Sequence, residues 1–198
     1  IMVAKKAERI DIECIVRGYV TGGGWRQYVK SGEINGIKLP AGLRKNERLP
    51  EPIFTPSAKN DVGHDEDIPI ERMKEIVGAE LTDKLQARSL ELYRFARDYC
   101  EQHGIILADT KFEFGLLDGE IILIDEIFTP DSSRYWAVEN YALDTDIDSM
   151  DKEPVRTYLA NSDWDKVSAP APLPPHVVEE TSARYREILR RLTGITLG

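Results

Sequence analysis

Residues 104–128 read GIILADTKFEFGLLDGEIILIDEIF, and this stretch decides the fold. Two runs rich in β-forming residues flank the dipeptide Asp118-Gly119, which tolerates the positive φ angles of a tight turn. The stretch therefore predicts an antiparallel β-hairpin around which the rest of the chain is built.

Four charged residues of the hairpin are predicted to share one of its faces. A strand period of two aligns Asp109, Lys111 and Glu113, and pairing through the turn brings Asp125 beside them. Carboxylates this close repel unless a cation neutralises them, and Mg²⁺ held by one or two carboxylates plus nucleotide phosphates is a common solution. The alternative is a solvated, salt-bridged outer face, although apolar runs on both sides argue against simple exposure.

The remaining pattern predicts an α+β fold in which helices pack on a central antiparallel sheet. The other expected elements are a half-buried strand over 8–20, a loop over 21–24, a long loop without regular structure over 31–66, one or two helices from Pro69 to Gly104, a short helix around 155–159, a Pro-rich linker over 169–175 and an amphipathic helix over 176–193.

Composition excludes several classes of protein. The 198 residues are 41% hydrophobic, enough for one core, and the net charge of −9 with no Lys/Arg-rich block disfavours a nucleic-acid binder. The longest apolar runs are far shorter than the roughly 18–20 residues of a membrane span. Cys14 and Cys100 lack the spacing of a metal knuckle or redox pair, so we expect a reducing, cytoplasmic compartment.

Two short segments have the composition of anion-binding sites. TPDSSR places Asp131, Ser133 and Arg134 directly after the hairpin, where an arginine with neighbouring hydroxyls can bind phosphate or carboxylate. The alternative is a Pro-Asp turn with an incidental arginine. In TGGGW, the three glycines at 22–24 offer unobstructed backbone N–H groups for a phosphate, but a flexible connection is equally compatible with them.

Other polar residues give weaker signals. Lys59, His64 and Asp65 are candidate substrate ligands, with a solvated loop as the alternative. The aspartates at 144, 146 and 148 resemble the start of an EF-hand loop, but Ser149 replaces its glycine and Val155 its bidentate glutamate. We therefore interpret that segment as a solvated acidic loop.

Several motifs together resemble a known family. ECIVRGYVTGGGW, LPEPIFTPSAKND followed by HDE, ADTKFEFG and IDEIFTPDSSRYW stand in the order found in the SAICAR synthetases, the phosphoribosylaminoimidazole-succinocarboxamide synthases of purine biosynthesis. The resemblance extends from about Lys5 to the C-terminal helix. It implies a two-lobed α+β fold distantly like protein kinases, with ATP between the lobes.

The resemblance also implies a reaction. The family uses ATP and Mg²⁺ to join L-aspartate to the carboxylate of carboxyaminoimidazole ribonucleotide, with release of ADP and phosphate. Because a carboxylate is a poor electrophile, we expect an acyl phosphate to form first and the aspartate amine to attack it.

Residue roles follow from the same resemblance. Glu113 and Asp125 would bind Mg²⁺, Lys111 would stabilise transferred charge, and Asp109 would orient or deprotonate a substrate group. The residues expected to bind the substrates are Arg17, Gly22, Gly23, Gly24, Lys59, Asp65, Asp131, Ser133 and Arg134. Many relatives carry Ser at the position of Gly23, so one hydroxyl ligand is replaced here by backbone amides.

The resemblance implies that residues 1–198 are the substrate- and metal-binding main lobe, without the N-terminal lobe that covers the ATP phosphates. We therefore expect this chain alone to be catalytically incompetent. The alternatives are another kinase-like phosphotransferase and a non-catalytic binding fragment. The expected partners are ATP, L-aspartate and the ribonucleotide, without nucleic acid or membrane, and a homo-oligomer is compatible with the sequence.

Overall fold

The fold is an antiparallel sheet with helices packed against it, seen in a computed structural model that describes residues 3–60, 65–125, 127–165 and 167–197. Within those ranges the strands are β1 (Glu8–Tyr19), β2 (Glu33–Ile34), β3 (Ile37–Lys38), β4 (Arg48–Phe54), β5 (Ser57–Ala58), β6 (Glu66–Asp67), β7 (Ile105–Leu117), β8 (Glu120–Asp125) and β9 (Ser133–Ala137). The helices in the same ranges are α1 (Gly22–Ser31), α2 (Ile70–Val77), α3 (Ala79–Gln102), α4 (Glu153–Ala160) and α5 (Pro175–Thr193), with a 3₁₀ turn at Val138–Asn140.

The long strands β1 and β7 form the centre of the sheet. β4 and β5 pair with one edge of β1, and β8 and β9 pair with the far edge of β7. All of these pairs are antiparallel, and β2 and β3 form a separate small ribbon. The predicted α+β class is confirmed.

The predicted hairpin is confirmed as β7 and β8. Asp118 and Gly119 connect the two strands with φ angles of 53° and 82°, as a tight two-residue turn requires. The strand predicted over 8–20, the helix around 155–159 and the C-terminal helix are also confirmed, each within a few residues of its predicted bounds.

Helices α2 and α3 cover one face of the sheet. The chain between Pro69 and Gly104 forms two helices separated by Gly78, whose φ of 87° interrupts the helical path. Leu85, Tyr93 and Ala96 of α3 pack against apolar residues of β1 and β7, and Ile188 of α5 joins the same core. The helical periodicity therefore corresponds to a real buried face.

The prediction of a long loop without regular structure over 31–66 is wrong. This segment contains strands β2 to β6, including the seven-residue β4 with Pro50 and Pro52 inside it. Among the strands of the described residues, β4 pairs with β1 alone, so it is an edge strand there, where proline is tolerated because one side of the strand needs no ladder hydrogen bonds. The prolines concealed a strand that forms through its contact with β1.

A register shift in β7 separates the core part of the strand from its charged part. Leu107 lies opposite Tyr135 of β9 and Asp109 opposite Arg134, so β7 carries one extra residue, Ala108, at this point. Leu107 packs in the core with the helices. The shift turns Asp109 and the following charged residues to the other face, as bulges next to functional sites commonly do.

Two further findings concern membrane-spanning helices and the cysteines. Within the described ranges, no helix is both long and apolar enough to span a membrane. Cys14 and Cys100 are both buried, reduced cysteines.

Candidate active site

One face of the β1–β7 pair carries a lattice of charged side chains. In the register of the two strands, Glu13 lies opposite Glu113, Ile15 opposite Lys111 and Arg17 opposite Asp109. The predicted alignment of Asp109, Lys111 and Glu113 is therefore confirmed, and β1 supplies a second row of charges from the neighbouring strand.

At one end of this face, a single carboxylate oxygen binds two arginines. Asp109 Oδ2 accepts a hydrogen bond from Arg17 Nη1 at 3.1 Å and another from Arg134 Nη1 at 3.0 Å. Arg17 Nε also donates to Thr55 Oγ1 at 3.1 Å, which fixes the plane of its guanidinium. Two oriented guanidinium groups beside a cavity are suited to binding a phosphate or carboxylate.

At the other end of the face, lysines neutralise a pair of glutamates. Lys59 Nζ lies 2.6 Å from Glu113 Oε2, and Lys111 Nζ lies 2.6 Å from Glu13 Oε1 and 3.8 Å from Glu113 Oε1. Glu13 and Glu113 are only 7% and 8% exposed. Directly opposed like charges destabilise a sheet, so the two ammonium groups stabilise this pair.

The residues predicted to bind metal lie next to each other. Asp125, at the end of β8, is the Cα partner of Glu113 in β7. Both offer hard oxygen ligands, and the Lys59 ammonium already occupies a cationic position at Glu113, so the local chemistry fits Mg²⁺. The described residues contain no group of three or more potential His, Cys, Asp or Glu ligands, so this pair would need further oxygens from a ligand such as a phosphate.

The glycine stretch is not a loop, contrary to the prediction for residues 21–24. Gly22, Gly23 and Gly24 form the first turn of α1. A Cβ on Gly22 would lie 2.7 Å from the Arg134 guanidinium, and one on Gly24 would lie 3.3 Å from Arg17 Cδ. The glycines therefore let two arginines pack against a helix N-terminus, whose first N–H groups have no intrahelical partners.

Two cavities meet at the arginines. The smaller, of about 160 Å³, is lined by Arg17, Asp109, Lys111 and Arg134 among others. The larger, of about 800 Å³, is lined by Gly22, Gly23, Trp25 and Arg26 and extends along residues 145–149. Arg134 and Arg156 line both cavities, so the two adjoin at these side chains, and the larger has the size of a small-molecule site. The two adjoining cavities are together called the cleft.

Three other residues predicted to bind substrate each contact another group of the protein. Asp131 lines the smaller cavity but pairs with Lys152 Nζ at 3.0 Å, and the buried Ser133 hydroxyl bonds to Thr110 Oγ1 at 2.7 Å. Asp65 is exposed and accepts a hydrogen bond from the Asn60 backbone at 3.2 Å. Gly24 lines neither cavity. His64 lies outside the described residues.

Three charged residues of this site, Glu13, Arg156 and Asp151, are absent from the residues predicted from the sequence. Glu13 has the same strand parity as Arg17, so the period of two in β1 was a usable signal for it. Arg156 had no such signal, because only the packing of α4 brings it to the cleft. Asp151, just before α4, is buried there and accepts a hydrogen bond from the Glu153 backbone at 2.7 Å.

Burial shifts the protonation equilibria of several groups in the cleft. Desolvation raises the pKa of Glu13, and the hydrogen bond from Lys111 opposes this shift. Desolvation also raises the pKa of Asp151, against the nearby charges of Arg156 and Arg134. The pKa of Arg17 is lowered by burial, while the Asp109 charge acts in the opposite direction.

The amino-acid sequence is similar to curated enzymes. The family model for SAICAR synthetase matches residues 1–171. A phosphoribosylaminoimidazole-succinocarboxamide synthase from Pelobacter propionicus is 52% identical over 198 residues, which cover 99% of this chain and 67% of that protein. One from Xanthomonas campestris is 51% identical, with 99% of this chain and 64% of the relative covered. The chain thus spans about two thirds of the length of these relatives.

The fold is similar to solved structures of proteins with related names. A SAICAR synthase from Saccharomyces cerevisiae, solved in complex with SAICAR, superposes with a TM-score of 0.85 at 42% identity, covering 98% of this chain and 63% of that one. A SAICAR synthetase solved in complex with ADP gives a TM-score of 0.70 at 28% identity, covering 98% of this chain and 67% of that one.

Proposed function

The chain belongs to the SAICAR synthetase family, and we propose that its cleft serves the ATP-dependent joining of L-aspartate to carboxyaminoimidazole ribonucleotide. One observation carries this proposal: a single sheet face has an anion-binding end, with Arg17 and Arg134 on Asp109, and a carboxylate end, with Glu113 opposite Asp125. Asp109 and Glu113, at the two ends, lie four residues apart on β7, about 13 Å along the strand, with Lys111 between them. A phosphorylated, carboxylated substrate and a metal-bound nucleotide can therefore meet there.

The anion-binding end is proposed to hold the ribonucleotide. Its phosphate and carboxylate both suit guanidinium donors, and Arg17, Arg134 and Arg156 line the smaller cavity together. The start of α1 at Gly22 adds backbone N–H donors beside Arg134. The roughly 800 Å³ of the larger cavity leaves room for a second small anion such as L-aspartate.

The carboxylate end is proposed to serve phosphoryl transfer. Glu113 and Asp125 would hold Mg²⁺, which when bound neutralises phosphate charge. Lys111, between the two ends, would stabilise negative charge on the transferred phosphoryl group. The role of Lys59 follows from its contact with Glu113: its ammonium holds this carboxylate in place before a metal ion arrives.

The contacts of Asp109 favour orientation over proton transfer. Its Oδ2 accepts hydrogen bonds from two guanidinium groups on neighbouring strands, so the carboxylate fixes the spacing of the anion-binding arginines. We therefore propose that Asp109 orients Arg17 and Arg134 for the substrate. The buried, reduced cysteines fit the proposed cytoplasmic setting.

The test separates this reaction from phosphoryl transfer to another acceptor. Calorimetry should detect binding of carboxyaminoimidazole ribonucleotide to the 198-residue chain. With the upstream lobe of the family supplied, ADP release should require both L-aspartate and the ribonucleotide. ADP release with the ribonucleotide omitted would favour a kinase-like phosphotransferase instead, and a failure to bind the ribonucleotide at all would contradict the assignment of the cleft.

A further inference from the structure

The buried carboxylate of Glu13 lies at the carboxylate end of the charged face, opposite Glu113, without a role in the proposed reaction. It contacts the Lys111 ammonium at 2.6 Å, and its side chain is 10% exposed, against 27% for Lys111. The Lys111 ammonium therefore lies nearer the cleft, and the Glu13 carboxylate contacts it from the buried side.

The backbone of Glu13 is held by a neighbouring strand on each side. It sits in the middle of β1, paired on one side with Ser57 of β5 and on the other with Glu113 of β7. Backbone that is hydrogen-bonded on both sides allows little movement. Lys111, in contrast, has a flexible four-carbon stem, so its ammonium position depends on the groups that bind it.

Glu113 offers the Lys111 ammonium a competing position. Its Oε1 lies 3.8 Å from Lys111 Nζ, on the next residue of the same strand face. Without Glu13, the ammonium would move towards Glu113, the carboxylate assigned to the metal. Attraction by Glu13 therefore keeps the lysine apart from the metal ligand.

We propose that Glu13 is a positioning residue, whose carboxylate holds the Lys111 ammonium over the cleft and away from Glu113. This inference rests on the proposed role of Lys111 at the transferred phosphoryl group. Glu13 itself touches no substrate and acts through the lysine.

A double-mutant cycle tests this coupling through the affinity for Mg·ATP, measured by calorimetry on the 198-residue chain. Lys111→Met and Glu13→Gln should each weaken binding by about tenfold, and the double variant should bind no more weakly than Lys111→Met alone. The matched control is Asp11→Asn on the same face of β1, where Asp11 pairs with Arg9 at an exposed site; its affinity should equal that of the unaltered chain.

The outcomes distinguish the two proposals. Additive losses in the double variant, or full affinity in Glu13→Gln while Lys111→Met binds weakly, would overturn the positioning role and leave the proposed function intact. If Lys111→Met retains full affinity, or the unaltered chain does not bind Mg·ATP, the proposed nucleotide site fails and this inference fails with it.

A second measurement needs no nucleotide. In NMR spectra of chain labelled at the lysine ε-carbons, the Lys111 signal should indicate a more ordered side chain in the unaltered chain and in Asp11→Asn than in Glu13→Gln. If Glu13→Gln does not fold, Glu13→Asp keeps the charge and shortens the reach by one methylene. Unchanged order of Lys111 in whichever variant folds would overturn the proposal.

Discussion

At the scale of single residues, the pairing of Glu113 with Asp125 leads to a sharp prediction. Asp125→Asn keeps the side-chain shape but removes the charge that a divalent cation needs, so the Mg²⁺ dependence of nucleotide binding should be largely lost. Calorimetric titration of ATP with and without Mg²⁺ measures this. Asp118→Asn removes the same charge at the exposed far end of the hairpin and should bind Mg·ATP normally. Equal Mg²⁺ dependence in both variants would refute the metal assignment.

A second residue-scale prediction concerns Arg134. Arg134→Lys keeps the charge but loses the planar pair of donors, so ribonucleotide binding should weaken by about 1–3 kcal/mol while Mg·ATP binding is retained. The control is Arg94→Lys, at an exposed arginine that lies 3.6 Å from Glu51. Equal losses for both ligands in calorimetry would point to a role in folding instead.

Some residues of the site could be predicted from the sequence, and others could not. A period of two was enough to align Asp109, Lys111 and Glu113, because strand geometry alone determines which face a side chain takes. Arg156 was missed because no local pattern encodes the packing of α4 against the cleft. Glu13 is absent from the predicted site because its importance comes from lying opposite Glu113 on another strand.

At the scale of elements, the start of α1 can be tested with its glycines. Gly22→Ala introduces a Cβ 2.7 Å from the Arg134 guanidinium at a φ of 53°, so we expect a stability loss of about 1–2 kcal/mol together with weaker ribonucleotide binding. Gly32→Ala, at the other end of α1, has a φ of 75° and open space, and should lose stability only.

Gly23→Ser completes that series. A Cβ there meets only Arg26 Nη2 at 3.7 Å, an ordinary contact, so stability should change by less than about 0.5 kcal/mol. Urea unfolding measures the stability of the three glycine variants, and calorimetry measures their affinity for the ribonucleotide. Retained ribonucleotide affinity in Gly22→Ala would contradict the packing of Arg134 on this helix start.

In helix α5, the Glu187 carboxyl is expected to make the stability of the chain depend on pH. Hydrogen bonds from Arg190 and then Arg191 lower the pKa of Glu187 from its ordinary value of 4.5 to about 2. A lowered carboxyl pKa gives stability above the ordinary value that is lost as the pH falls towards the lowered one. The excess stability of the unaltered chain over Glu187→Gln should therefore disappear between about pH 4.5 and 2.

Urea unfolding at a series of pH values measures this effect. The exposed Glu179→Gln on the same helix is the control, and its difference from the unaltered chain should vary less over that range. A stability difference for Glu187→Gln that does not depend on pH would show that the arginine contacts do not form in solution.

At the scale of the whole molecule, we expect the 198-residue chain alone to bind nucleotide weakly and to turn over no substrate. In these 198 residues the carboxylate end of the charged face is exposed at Asp125, so water would reach a reactive acyl phosphate there. The assay contains ATP, Mg²⁺, L-aspartate and the ribonucleotide. Turnover of about 1 s⁻¹ or more would contradict this expectation, whereas activity restored by the family's upstream lobe would support it.

The global fold was predictable to the extent that local chemistry determines it. The Asp118-Gly119 turn and the helical period after Pro69 fixed the hairpin and the helix layer. The strands between residues 31 and 66 were not predictable, because Pro50 and Pro52 contradict local strand preference and β4 forms only against β1. The tri-glycine helix start was missed for the same reason, since its packing against two arginines outweighs poor helix propensity.

The extra residue in β7 has a consequence for how this chain can change over time. With Ala108 present, Leu107 packs in the core and Asp109 faces the cleft. Loss of the Ala108 codon would restore simple alternation and keep both faces, because Leu107 and Asp109 lie opposite consecutive residues of β9. Loss of one codon after Asp109, such as that of Thr110, would instead exchange the two faces for the rest of the strand and bring Phe112 to the cleft and Lys111 to the helices. Substitutions can accumulate gradually along β7, and its length can change at Ala108, but its length after Asp109 cannot drift.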